Sequence, residues 1–293
     1  AAKEAAKKEK AAKEAAKKEK AVKKGKALDL ARVAFDPAAG RLALLERRKL
    51  KVPGASGIVP LGEGRLAVVH DDIGVFEVRE GAATQVVSAK DHPGLEDLEG
   101  ACLEPGGGAI LVLCEARGAV SRIELAAGGG LGPGSVPVLV GSLPDLESRA
   151  NKGWEGLECL PGALSPDGEA KILAVHERDP RRLGVFAWPS LETTALLELP
   201  EALGDAASDL ADIAVQPETG HVFLVSDESR TILELRLRAG PWRLEALARH
   251  TLVLKKGEKA EALAFEGDSL WLATDGKARL YRLRAYRAEE SAD

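Results

Sequence analysis

The feature that most constrains this chain is a pattern that recurs five times along it. Four copies begin with an acidic residue or Ser and a small residue, and the remaining copy begins with Ala211 and Asp212. In every copy a short apolar run, a tight turn and a second apolar run that ends in acidic residues follow. The aligned first positions are residues 56, 99, 155, 211 and 261, which are 43, 56, 56 and 50 residues apart. Repeats of this length predict an array in which each copy is one supersecondary unit.

Each copy has the composition of β-strands. Its apolar runs are short, are rich in Val, Ile and Leu, and are separated by Gly, Pro and Asp. Turn sequences such as 105–108 and 217–220 fall between the first two runs. A third run, for example 74–78, and a fourth, for example 85–88, follow in most copies. Four-stranded units repeated about every 40–50 residues predict an all-β fold, the β-propeller, in which radial repetition protects the strand edges.

The number of blades follows from the number of inner strands. Five inner strands are visible, whereas residues 28–52 add only one further hairpin. We therefore favour five blades, with this N-terminal hairpin supplying outer strands to the last blade, 260–285, and closing the ring. The segment 29–40 also resembles 209–220, which leaves a six-bladed propeller open as the alternative.

The first 26 residues differ from the rest of the chain in charge and composition. They hold 11 Lys and 4 Glu, a net charge of +7, and since the whole chain carries −5, residues 27–293 carry −12. Ala, Lys and Glu form helices readily, yet this segment offers almost no large apolar side chain to bury. We expect a solvated helical or disordered tail over 1–26 and a single propeller domain over 27–293. A basic arm that binds nucleic acid without sequence specificity is the alternative.

Composition also excludes several classes of protein. The longest apolar runs, such as 109–114, are far too short to span a bilayer, and no signal peptide is visible. Cys102, Cys114 and Cys159 lie in apolar strands and are predicted to be buried thiols, since an odd number of cysteines argues against a disulfide-built scaffold. The sequence has no nucleophile elbow, zinc-type His pair or phosphate-binding loop.

In a propeller the inner strands of the blades surround a central channel. The innermost strand of each blade starts at the end of the channel to which the second strand returns, so the acidic residues at these strand ends should lie together there. Acids such as Asp97 and Glu115 lie at that end of their strands. Neighbouring carboxylates repel each other, and Ca²⁺ relieves the repulsion by taking about six to eight oxygen ligands. Solvated loop acids of an acidic protein are the alternative. The predicted ligands of a calcium-type site are Glu99, Glu155 and Glu261, at one register, with Asp209 and Asp212.

Basic residues accompany these acids. These residues are Arg117, Lys152, Arg178 and Arg230. They are predicted either to close loops by local ion pairs or to bind a small anionic ligand or ester. His176 lies among charged residues and is the best candidate for a general base. If the protein is a hydrolase, His176 and Glu177 are the predicted catalytic residues.

Several of these motifs resemble a known family. They are 97–100 with 114–117, 151–156 with 176–180, 226–230, and 259–262. Over roughly residues 53–284 the sequence resembles the SdiA-regulated propeller proteins and the related esterase-like domain named after phytases. The resemblance implies a bacterial β-propeller, in the periplasm or envelope, with a calcium-type site near the channel, and it names no substrate. The chain departs from the family pattern at Ala211, where a polar residue is more typical.

Three functions remain open from the sequence. The favoured one is a cation-binding propeller that serves as an envelope-associated binding module. The second is a metal-dependent hydrolase of phosphate or carboxylic esters, in which the cation would polarise the substrate. The third is a structural interaction scaffold. We expect a monomer with no specific nucleic-acid partner, and the odd cysteine count also permits a cytoplasmic location.

Overall fold

The computed structural model of the protein describes residues 32–34, 41–146, 153–178, 181–200, 203 and 206–286. Within these residues the chain forms 21 β-strands and two short 3₁₀ helices, Ala89–Asp91 and Glu115–Arg117. No helix in the described part of the chain is long and apolar enough to cross a membrane. The Lys-rich segment 1–26 and Lys152 lie outside the described residues.

The strands coincide with the apolar runs of the sequence and pair in antiparallel fashion throughout. In chain order they are β1 (Arg32–Ala34), β2 (Arg41–Lys49), β3 (Gly57–Gly62), β4 (Arg65–His70), β5 (Gly74–Arg79), β6 (Ala82–Ser88), β7 (Leu98–Leu103), β8 (Ala109–Cys114), β9 (Ala119–Glu124), β10 (Val138–Ser142), β11 (Trp154–Leu160), β12 (Lys171–His176), β13 (Arg182–Ala187), β14 (Thr193–Glu198), β15 (Asp212–Val215), β16 (His221–Ser226), β17 (Thr231–Arg238), β18 (Arg243–Thr251), β19 (Lys259–Glu266), β20 (Ser269–Asp275) and β21 (Arg279–Tyr286).

Five sheets surround the channel as blades. Strands β3–β6 form blade 1, β7–β10 blade 2, β11–β14 blade 3 and β15–β18 blade 4, while β19–β21 are the first three strands of blade 5. The first strand of each blade contacts the first strands of both neighbours, so that β3, β7, β11, β15 and β19 form a closed ring. The prediction of an all-β, five-bladed propeller is confirmed. The six-bladed alternative is wrong, because the N-terminal strands join existing blades.

The ring closes through the N-terminal segment. Strand β2 pairs along its whole length with β21 and is the outermost strand of blade 5, as predicted. Arg47 of β2 donates a hydrogen bond to the Tyr281 hydroxyl at 2.8 Å and pairs with buried Glu258. Strand β1, however, pairs with β18 as a fifth strand of blade 4. The expectation that both N-terminal strands complete the last blade is therefore wrong for β1: β2 already fills that position, and the edge of β18 remains available.

The hydrophobic core lies between the blades. Apolar side chains of adjacent sheets form five clusters, one at each blade–blade interface of the described chain. The interface between blades 5 and 1 contains Leu50 and Val52, which follow β2 and are each only 2% exposed. The segment that closes the ring is thus also part of the core.

Two cysteines form a disulfide that the sequence did not predict. Cys102 on β7 and Cys159 on β11 are bonded, with their Cα atoms 5.6 Å apart, so the expectation of three thiols is wrong for these two. Inner strands of successive blades lie side by side, and this brings together cysteines 57 residues apart in the sequence. Cys114 is a buried free thiol, as predicted, and its Sγ donates to the Glu96 carbonyl at 2.9 Å.

Candidate metal centre at the acidic end of the channel

The three glutamates predicted at one register share a structural feature. Each lies at an irregularity in the pairing of its inner strand with the second strand of the blade. A bulge turns a side chain out of the normal alternation of the strand. The irregularities lie between Leu98 and Ala101, between Trp154 and Gly156, and between Ala260 and Ala262, and they contain Glu99, Glu155 and Glu261 respectively.

The inner strands approach each other closely beside these glutamates. A Cβ atom on Gly100 would overlap the backbone of Leu157 in the next blade. A Cβ atom on Gly156 would lie 2.6 Å from Cα of Asp212. Glycine at these two positions lets neighbouring blades touch through their backbones, which draws the preceding glutamates together.

One group of carboxylates is close enough to share a cation. Oxygen atoms of Asp97, Glu99 and Glu115 all lie within 4.8 Å of one another, and each residue is half-buried. The Glu115 side chain accepts a hydrogen bond from the Gly153 amide at 2.7 Å, and the Asp97 carbonyl accepts one from the Glu115 amide at 2.9 Å. The predicted ligand set contained Glu99 but omitted Asp97 and Glu115. Their positions in the sequence indicated both residues as candidates, because Asp97 lies just before an inner strand and Glu115 just after a second strand.

The surroundings of these acids disfavour negative charge. Burial, and then the charges of Glu115 and Asp97, raise the pKa of Glu99 to about 8. Burial, and then the charge of Asp227, raise the pKa of Glu261 to about 8. The pKa of Glu155 is raised as well, first by burial and then by the charge of Glu99. Such a group holds protons at neutral pH unless a cation takes their place.

The two predicted aspartate ligands occupy different surroundings. Asp209 is buried and accepts hydrogen bonds from the Ser226 hydroxyl and from the Glu228 amide, the latter at 3.2 Å. Asp212 is 1% exposed, and its Oδ2 accepts a hydrogen bond from the Leu263 amide at 2.7 Å. Burial raises the pKa of Asp212 well above its ordinary value. Among the described residues, neither aspartate belongs to the group formed by Asp97, Glu99 and Glu115.

The basic residues near this end of the channel form local ion pairs. Arg178 pairs with Glu177 and with Glu228, each at 2.7 Å, and so links blade 3 to blade 4. Arg117 lies 3.8 Å from Glu96, with both side chains largely exposed. Arg230 is exposed. The predicted binding of an anion by these side chains stays a prediction.

Comparison with known families identifies the chain. A family model described as SdiA-regulated matches residues 66–283. The chain belongs to the SdiA-regulated family. No protein of curated function is detectably similar to it in sequence.

Solved structures share the fold of this SdiA-regulated protein at low sequence identity. A glutaminyl cyclase from Myxococcus xanthus is 11% identical over 86% of this chain and 99% of that one, with a TM-score of 0.59. A PQQ-bound aldose sugar dehydrogenase from Streptomyces coelicolor is 16% identical over 85% and 99%, with a TM-score of 0.54. A gluconolactonase from Xanthomonas campestris is 12% identical over 89% and 98%, with a TM-score of 0.49. The first two likenesses show the propeller fold alone.

Part of the acid repeat in this SdiA-regulated propeller is structural. The acidic residue after each second strand reaches the start of the next inner strand, by a backbone carbonyl in two cases and by a side chain in the others. Hydrogen bonds join Asp71 to Leu98 (3.3 Å), Glu115 to Gly153 (2.7 Å), Glu177 to Leu210 (3.2 Å) and Asp227 to Ala260 (2.9 Å). The Asp275 side chain lies close to Gly54, where an added Cβ atom would overlap its Oδ1 atom. The side-chain hydrogen bonds give the carboxylates of Glu115 and Asp227 a structural role, whereas the two backbone contacts do not require an acidic residue.

The residues predicted to be catalytic are not both on the channel surface. His176 is 1% exposed, and its ring packs edge-to-face against Trp154 with the ring centroids 5.4 Å apart. Glu177 is half-buried and pairs with Arg178. The SdiA-regulated propeller therefore holds the imidazole inside the interface between blades, and a catalytic role for His176 stays a prediction.

Proposed function

We propose that this SdiA-regulated propeller is a binding module that holds a Ca²⁺-type cation at the acidic end of its channel. The observation that carries the proposal is the group of Asp97, Glu99 and Glu115, whose oxygens lie within 4.8 Å of one another. Among the described residues, no Lys or Arg pairs with any of these three carboxylates. Ca²⁺ prefers carboxylate and carbonyl oxygens and accepts irregular geometry, which suits ligands drawn from strand ends.

In this proposal the cation also binds a ligand, because its coordination by the protein is incomplete. Three carboxylates supply only part of the coordination that Ca²⁺ requires, so positions remain for water or for an anionic group of a ligand. We propose a small anionic ligand, bound through the cation at the mouth of the channel. We propose an envelope location for this module, which the family resemblance supports.

Calcium should stabilise the protein strongly. A ligand that binds only the native state, at about 100 times its Kd, adds about 2.7 kcal/mol to the free energy of unfolding. In a chain of this size that corresponds to a rise in Tm of roughly 5 °C. Thermal unfolding measured in EDTA and in excess calcium tests this. Glu99→Gln keeps the side-chain shape, removes the charge and should abolish most of the rise.

A matched control separates a specific site from a general effect of charge. Glu124→Gln removes a carboxylate on the exposed end of β9 and should leave the calcium effect intact. Glu155→Gln should reduce the effect, since the charge of Glu99 raises the pKa of Glu155 and the two carboxylates therefore interact. An unchanged Tm on adding calcium to the wild-type protein would refute the proposed site.

The metal-free protein should lose stability as the pH rises. The pKa values of Glu99 and Glu261 are about 8 in the folded protein, against an ordinary value of 4.5. The folded state therefore binds more protons than the unfolded state between these values, and its stability falls as the pH rises through that window. We expect Tm in EDTA to fall from about pH 5 to about pH 8, and saturating calcium to remove the slope because the cation replaces the protons. A flat Tm profile in EDTA would contradict the prediction.

We do not extend the proposal to ester hydrolysis. A general base must reach the proton that it removes, whereas His176 is buried against Trp154. Arg178, one of the predicted anion-binding side chains, is held by Glu177 and Glu228. The observations favour a binding module over a hydrolase.

A further inference from the structure

A cavity of about 280 Å³ lies at the other end of the channel. The inner strands run from the glutamate bulges towards it. Leu103, Pro161 and Pro217 of its wall are exposed, so the cavity opens to solvent. Its wall consists mainly of the last residues of the inner strands and the loops that follow them, at 58–60, 101–107, 158–161 and 263–265.

One carboxylate of this cavity has no cationic partner within the described chain. The Glu158 Oε1 atom accepts a hydrogen bond from the Cys159 amide at 2.8 Å, and Oε2 accepts one from the Val215 amide at 3.2 Å. These bonds fix the carboxylate between blades 3 and 4. Burial, opposed by these two hydrogen bonds, raises the pKa of Glu158 to about 7.

The second acid of the wall provides a contrast. Arg122 donates hydrogen bonds to both oxygens of Glu104, at 2.9 and 3.1 Å, so the charge of Glu104 is balanced. No Lys, Arg or His is among the described residues that line the cavity. A half-buried carboxylate without a counter-charge loses part of its hydration, and a cationic ligand would relieve that cost.

We propose that this cavity binds a small organic cation, an amine with an apolar body, whose ammonium group pairs with Glu158. A carboxylate has about four acceptor positions, and the two backbone amides use two of them, which leaves acceptor positions for ammonium N–H donors. Val59, Leu164 and Phe265 line the cavity and would contact the apolar body. The volume lies just below the range of about 300–1,000 Å³ that is typical of drug-sized ligands, which favours a body of about one ring. This site is independent of the proposed cation site.

Benzylamine is a suitable probe, compared with benzyl alcohol and benzoate, which share its ring but not its charge. Titration calorimetry at about pH 8 keeps both the amine and Glu158 charged. We expect one benzylamine per chain, with little binding of the alcohol or of benzoate. Glu158→Gln should weaken benzylamine binding about tenfold or more, since a hydrogen bond to a charged group is lost.

Two matched variants identify the site. Glu104→Gln changes an acid of the same wall whose charge Arg122 already balances, and it should leave the affinity unchanged. Glu99→Gln changes the acidic end of the channel and should also leave it unchanged. The proposal is wrong if the wild-type protein does not bind benzylamine at millimolar concentrations, or binds benzyl alcohol equally well. It is also wrong if Glu158→Gln leaves the affinity for benzylamine unchanged or if Glu99→Gln abolishes binding.

A further variant covers the case in which Glu158→Gln does not fold. Leu103 lines the cavity and is 40% exposed, so Leu103→Trp can fill the cavity without replacing a core residue. This variant keeps Glu158 and should still lose benzylamine binding. Retained affinity in folded Leu103→Trp would place the amine elsewhere and refute the assignment.

Discussion

A protein that lacks residues 28–52 will not form a stable closed propeller. The deletion removes β2, which pairs with the whole of β21, and leaves an open edge on blade 5. It also removes Leu50 and Val52 from the core between blades 5 and 1, and leaves buried Glu258 without Arg47. Losing two buried apolar side chains and a strand should cost roughly 5–10 kcal/mol, which is comparable to the whole stability of a typical domain. Circular dichroism during thermal unfolding should show a broad transition or none.

A tail deletion and a point substitution complement the deletion of residues 28–52 as tests of how the ring closes. Deleting residues 1–24 should leave Tm almost unchanged, because that sequence has almost no large apolar side chain to bury. Leu50→Ala leaves the chain intact and should lower the free energy of unfolding by about 2–5 kcal/mol. If the 28–52 deletion melts like the full chain, the closure of the ring by β2 is wrong.

Replacing both Cys102 and Cys159 by Ser should lower the free energy of unfolding by about 4 kcal/mol. The disulfide closes a loop with a sequence separation of 57 residues, and the loss of its constraint on the unfolded chain gives this estimate. Denaturant unfolding with and without a reductant measures the effect. The reductant should destabilise the wild-type protein and leave the double variant unchanged.

The remaining cysteine provides the control for this prediction. Cys114→Ala removes a buried thiol that lies outside the disulfide, so the reductant should destabilise this variant as much as the wild type. A wild-type protein whose unfolding is the same with and without reductant would show that Cys102 and Cys159 are not bonded in solution.

The sequence alone determined the strands and their repetition, and it favoured five blades over six. Short apolar runs separated by Gly, Pro and Asp define strands through local rules, and five copies of one unit define a ring. The same repetition placed Glu99, Glu155 and Glu261 at one register, and the structure shows each at a bulge of its inner strand. Local pattern sufficed here because every blade repeats the same backbone geometry.

Only the tertiary structure decided which side chains meet. Pairing of β7 with β8 within blade 2 grouped Glu99 with Asp97 and Glu115, while Asp209 lies in another blade. Contact between the inner strands of blades 2 and 3 joined Cys102 to Cys159. The two cysteines are 57 positions apart, and the distance between them depends on how closely blades 2 and 3 approach at Gly100. The packing of the blades also buried His176, and it left Glu158 without a counter-charge from the described residues in the cavity at the other end of the channel. Sequence periodicity specifies the face and register of a residue within its strand, whereas the separation between strands of different blades is set by packing across the whole ring.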